Sequence, residues 1–119
     1  MHELSICQAL IEQVETLARE QGGRWVDVIE ISIGPLSGVE PRLLRQAFPV
    51  AAAGSVAEAA RLEIESLPVR VHCDACGSDS DASVNRLVCR QCGNWQTRLL
   101  SGDELLLTRV EIIRERVHV

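Results

Sequence analysis

The feature that most constrains this chain is the segment from Cys73 to Trp95, which carries four cysteines in two Cys-x-x-Cys pairs within otherwise polar surroundings. A stretch this short and this polar cannot build a hydrophobic core of its own, so it needs a metal or covalent staple to fold. Twelve residues separate Cys73/Cys76 from Cys89/Cys92, a spacing that lets two turn-borne pairs converge as a tetrahedral set of thiolates. Each pair is followed by a glycine, Gly77 or Gly93, where positive φ lets backbone amides turn toward the sulfurs. With four sulfurs and no spare ligand the site is closed, which suits a structural Zn(II) and leaves no position for water or substrate. A rubredoxin-like iron site is the alternative. Zinc is preferred because the segment lacks the aromatic, hydrophobic shell that accompanies redox iron. His72 adjoins Cys73, but the thiolates already complete the tetrahedron, so it reads as a solvated or outer-shell histidine.

The rest of the chain supplies one core. Cys7, Leu10, Ile11, Val14, Leu17 and Ala18 recur at the spacing of an amphipathic helix, which Gly22-Gly23 should close. Cys7 lies on that apolar stripe and reads as a buried small hydrophobe. Residues 25–33 form a largely alternating β-branched run that predicts a strand packed on one face. A second helix is predicted from about Glu40, with Pro41 in its first turn and Pro49 ending or kinking it near Phe48. Arg61–Ser66 alternates as a half-buried strand, and 104–114 as another, with Leu106, Thr108, Val110 and Ile112 predicted to face the core. The fold class is therefore α+β: two helices packed on a three-stranded sheet, with an inserted four-cysteine, zinc-ribbon-like domain.

Charge and composition remove several functions. The formal net charge is −5, whereas nucleic-acid binders present basic faces to phosphates. Only Trp25, Phe48 and Trp95 are aromatic, too few for base-stacking platforms. Nucleic acid is thus not expected as a partner. No run approaches the ~20 apolar residues that span a bilayer, and Met1-His2-Glu3 opens no signal peptide, so a cytoplasmic protein without membrane attachment is expected. Cysteine usage agrees with a reducing compartment. His2, His72 and His118 lie far apart in sequence, so no catalytic constellation is visible and an enzyme is not expected. The competing class is a zinc-ribbon module that grips another macromolecule and carries no other metal.

Met1-His2-Glu3 offers an α-amine, an amide nitrogen and an imidazole to one ion, a donor set preferred by Ni(II) or Cu(II), with Glu3 able to add a carboxylate. Taken alone, a histidine at position two is a weak signal, and the residue types by themselves favour an ordinary frayed terminus.

The combination of Met1-His2-Glu3-Leu4-Ser5, the block Glu30-Ile-Ser-Ile-Gly-Pro-Leu-Ser-Gly-Val-Glu-Pro41, the four cysteines and Gly102-Asp-Glu-Leu105 closely resembles the hydrogenase-maturation nickel metallochaperones of the HypA/HybF family. The resemblance implies a nickel site on the Met1 α-amine, His2 and Glu3, with Glu40 as a secondary candidate ligand or orienting group. It implies a structural zinc on Cys73, Cys76, Cys89 and Cys92. Residues 1–68 and 103–119 would form the nickel-binding α+β domain and 69–102 the inserted zinc domain. Nickel would be cargo, passed to the large subunit of [NiFe] hydrogenase together with a nickel-handling maturation GTPase, by a monomer or weak homodimer; some members also serve urease. The departure from the family pattern is Phe48-Pro49, where an acidic residue commonly follows the phenylalanine.

Overall fold

The computed structural model describes residues 2–114; Met1 and residues 115–119 lie outside the described residues. The elements run α1 (Glu3–Glu20), β1 (Gly23–Ile33), α2 (Pro41–Ala52), β2 (Arg61–Ser66), β3 (Arg70–Cys73), β4 (Asp79–Asp81), β5 (Thr97–Ser101) and β6 (Leu105–Arg114). They form two three-stranded sheets, ordered β2-β1-β6 and β4-β3-β5. The chain divides into two compact units, one of Met1–Ile31, Glu40–Ile64 and Leu107–Val119, the other of Ser32–Val39 and Glu65–Leu106.

In the first unit α1 and α2 pack on each other. The stripe of α1 is buried at Cys7, Leu10, Ile11, Val14 and Ala18, and the Cys7 thiol reaches the carbonyl of Leu44 on α2 at 3.5 Å. Burial raises the Cys7 pKa, and the Glu3 carboxylate raises it further, so this thiol stays protonated and packs as a hydrophobe. Gly22, at φ 66°, follows the last turn of α1 as expected.

Two details differ from the sequence-based reading. Pro49 does not end α2, which continues to Ala52. Leu44, Phe48 and Ala52, one turn apart, are all buried, and this anchoring on both sides of the proline outweighs the lost backbone donor, ~3 kcal/mol in a helix interior. The acceptor that Pro49 leaves unpaired belongs to Arg45, which is exposed and open to water. The second difference concerns faces. As the central strand, β1 is covered on both sides: Ile29, Ile31 and Ile33 on one parity and Val26, Val28 and Ser32 on the other are buried. On β6, Val110 and Ile112 are half-buried as expected, but Leu106 and Thr108 are exposed while Leu105 and Leu107 are half-buried. At a sheet edge, side chains on either face keep access to solvent, so alternation alone does not identify one covered face.

The second unit contains a sheet that alternation did not reveal. β3 pairs antiparallel with β4 (Arg70↔Asp81, Val71↔Ser80, His72↔Asp79) and with β5 (His72↔Arg98, Cys73↔Thr97), the register shifting between Arg70 and Val71. Val71, Cys73 and Ser80 are its buried members. Side chains pair across β3 and β4: Arg70 and Asp81 form an ion pair at 2.6 Å, and His72 Nδ1 and Asp79 Oδ1 share a hydrogen bond at 2.6 Å. At the foot of this unit two backbones touch. The Gly34 N–H donates to the Glu104 carbonyl at 2.8 Å, and the Leu36 N–H to the Gly102 carbonyl at 2.6 Å.

Candidate metal centre

The cysteine quartet is built from two knuckles with the same hydrogen-bond pattern. The Gly77 N–H donates to the Cys73 carbonyl (2.9 Å) and the Cys73 N–H to the Ser78 carbonyl (2.9 Å). Gly93 N–H to Cys89 carbonyl (2.8 Å) and Cys89 N–H to Asn94 carbonyl (2.9 Å) repeat it. Both turns close through a glycine in the left-handed region, Gly77 at φ 77° and Gly93 at φ 75°, so each Cys-x-x-Cys-Gly is a tight loop that aims two sulfurs the same way. The Cys76 N–H also points at Cys73 Sγ, 3.4 Å away, as expected of amides around a thiolate.

The four sulfurs lie within 4.8 Å of one another. Cys73–Cys92 and Cys76–Cys89 each stand 3.6 Å apart, too far for a disulfide at ~2.05 Å. A zinc ion with bonds of ~2.3 Å in a tetrahedron sets sulfur–sulfur edges of about 3.8 Å, which these distances fit. The donor chemistry also asks for a cation. The Ser78 hydroxyl and then its backbone N–H lower Cys76 to about 6, and the backbone N–H groups of Cys92 and Gln91 lower Cys89. The Asn94 backbone N–H pulls Cys92 down, yet the neighbouring Cys73 sulfur, burial, and the Cys76 and Cys89 sulfurs together push it up to about 12. Thiolates this close hold their last proton until a positive ion replaces it.

His72 is not among the clustered ligands. Its Nδ1 pairs with Asp79 Oδ1 at 2.6 Å, which makes it part of the β3–β4 ladder. Sequence reasoning missed the residues that fix the knuckles, Ser78 and Asn94. The signal was present: each is the polar residue directly after the knuckle glycine.

A methyl group at Gly77 or Gly93 would meet nothing within 4 Å, so only the left-handed backbone resists it. Gly77→Ala and Gly93→Ala should each cost about 1–2 kcal/mol, read as weaker zinc retention against a competing chelator and a lower unfolding midpoint. Indifference of both variants would mean that the knuckles tolerate another turn.

The N-terminal candidates sit elsewhere. Met1 lies outside the described residues, so its α-amine has no described position. His2 is exposed and caps α1 through its backbone, its side chain making no capping hydrogen bond. Glu3 opens the helix, and its Oε2 accepts the backbone N–H of Glu40 at 3.3 Å. Glu40 in turn is the N-cap of α2, its Oε1 accepting the Arg42 N–H at 3.4 Å. Glu3 and Glu40 are thus brought together at the adjoining starts of α1 and α2.

Residues 1–112 match the family model described as hydrogenase/urease nickel incorporation, metallochaperone, hypA. A hydrogenase maturation factor HypA of Nitrosospira multiformis is 50% identical over 113 residues, covering 95% of this chain and 98% of that protein. One from Aquifex aeolicus is 39% identical over 112 residues, covering 94% and 97%. The solution structure of the Ni metallochaperone HypA from Helicobacter pylori superimposes with a TM-score of 0.71 at 26% identity, covering 97% of this chain and all of that one.

Proposed function

The chain belongs to the HypA family of hydrogenase and urease nickel-incorporation metallochaperones, and from that premise we propose that it carries Ni(II) as cargo on Met1, His2 and Glu3. The observation that supports this most directly is the exposed His2, which precedes Glu3 directly at the start of α1. The α-amine of Met1, the backbone nitrogen of His2 and its imidazole form a compact nitrogen set suited to square-planar or tetragonal nickel. Glu3 adds a carboxylate. Glu40, whose backbone N–H holds Glu3, acts as an orienting group or further ligand.

Delivery requires an ion held selectively and released readily, which an exposed terminal site with few side-chain donors provides. The quartet Cys73, Cys76, Cys89 and Cys92 serves the opposite end, a closed structural zinc that turns over no substrate. On this reading the protein is not an enzyme. It hands nickel to the large subunit of [NiFe] hydrogenase with a nickel-handling GTPase, in the cytoplasm, as a monomer or weak homodimer. Residues 1–68 and 103–119 act as the nickel domain and 69–102 as the zinc domain, whose fold sets the docking geometry. No described helix is long and apolar enough to cross a membrane.

The test is calorimetric nickel titration of zinc-loaded protein whose first residue is Met1, beside the His2→Ala variant. One nickel per chain lost with His2, zinc content unchanged, is the expected result. Nickel binding indifferent to His2 would remove the terminal site and favour a zinc-ribbon binding module.

A further inference from the structure

β6 stands at the end of its sheet, and among the described residues no strand pairs with its outer side. It is ten residues long and contains no proline, glycine or lysine, three of the devices that keep natural edges from recruiting another strand. Exposed or half-exposed apolar side chains line it, and Val110, Ile112 and Ile113 border a hollow of about 520 Å³ with Gln21 and Arg114. Its charges are of both signs. Arg109 pairs with Glu111 two residues on, with Glu30 on the adjacent β1 and with Glu63 on β2 beyond it, so one guanidinium serves three carboxylates.

An antiparallel pair of identical strands related by a two-fold axis must place that axis on a residue, because directly opposed side chains share a face. Centring on Arg109 or Glu111 sets like charge against like. Centring on Thr108 sets Arg109 against Leu107, and centring on Ile112 sets Glu111 against Ile113. Centring on Val110 opposes Arg109 to Glu111 twice, Leu107 to Ile113 and Thr108 to Ile112. Arg109 and Glu111 then each face the opposite charge, Arg114 faces the exposed Leu106, and each Glu111 gains a second guanidinium.

We propose that the outer edge of β6 is an interface with a second copy of this chain, paired antiparallel about Val110. The zinc-loaded full chain should show dimer mass by light scattering across a concentration series. Arg109→Glu and Glu111→Arg each create two like-charge oppositions and should each weaken self-association about tenfold or more. An equimolar mixture of the two variants restores both opposite-charge pairs and should recover the dimer. Wild-type protein that stays monomeric, variants that dimerise as it does, or a mixture that stays monomeric would each overturn the proposal. Should either charge variant fail to fold, Val110→Cys decides instead. A residue on the axis faces its own copy, so mild oxidation should link Val110→Cys chains by a disulfide and leave Ile112→Cys chains unlinked. No link at position 110, or equal linking at both, overturns the register.

Discussion

Replacing Cys73 with serine, or stripping the protein with a chelator at neutral pH, should dissolve the β3–β4–β5 sheet while the helical signal of α1 and α2 persists. The buried residues between Val69 and Ser101 are Val69, Val71, Cys73, Ser80 and Cys89, and two of those five are sulfur ligands. Area removed from water therefore contributes little here, and the metal supplies the stabilisation. Structural zinc sites contribute on the order of 10–16 kcal/mol to the folding of small modules, far above what three remaining buried side chains replace. Loss of one thiolate also leaves the others crowded without a full complement of bonds to the cation. Trypsin reports the outcome well, because Arg86, Arg90 and Arg98 lie in the segment. In holo-protein they should resist cleavage, and in the Cys73→Ser or chelated protein they should be cut rapidly while α1 and β1 survive. Equal resistance in both forms would show that the ladder pairs of β3 hold the unit without metal.

That segment is also where sequence and structure part most instructively. The quartet was legible because metal geometry writes itself into spacing: two residues inside each pair, twelve between, a glycine after each. Both helices were legible through the Cys7–Ala18 stripe and the Pro41 start, since burial of a helix face repeats in sequence. The β4 and β5 strands were not. Asp79-Ser80-Asp81 contains no apolar residue; it becomes a strand through Arg70–Asp81 and His72–Asp79 pairing across β3, a tertiary effect without a local signature. The same holds for Pro49, whose local cost is overridden by Leu44, Phe48 and Ala52. Family resemblance drew attention to the blocks around Gly34 and Gly102 without saying what they do. In the fold they meet each other, and their value is packing.

Gly34→Ala is accordingly expected to be among the most damaging single-methyl changes in the chain. A Cβ on Gly34 would sit 2.1 Å from the Gly102 carbonyl oxygen, 2.2 Å from its carbon and 2.7 Å from the Asp103 nitrogen. All three are backbone atoms, and none can swing aside as a side chain would. Making room separates the two strands of chain, which stretches the Gly34–Glu104 and Leu36–Gly102 hydrogen bonds and leaves their groups short of partners, at ~1–3 kcal/mol each. The expected loss is about 3–5 kcal/mol, a large share of a typical stability of ~5–15 kcal/mol. Two other glycines calibrate the mechanism. At Gly54 a methyl meets nothing within 4 Å and only the φ of +76° opposes it, so Gly54→Ala should cost about 1–2 kcal/mol. At Gly23 the collision is with Ile112 Cγ2 at 2.1 Å, a branch methyl that gives way only by turning a stiff χ1 but is not backbone, so Gly23→Ala should fall between the two. Denaturant unfolding of the three variants in zinc-loaded protein should therefore rank Gly34 worst, Gly23 next and Gly54 mildest. A Gly34→Ala protein as stable as Gly54→Ala would mean that the contact with Gly102 relaxes freely, and that these glycines are kept for a reason other than close approach.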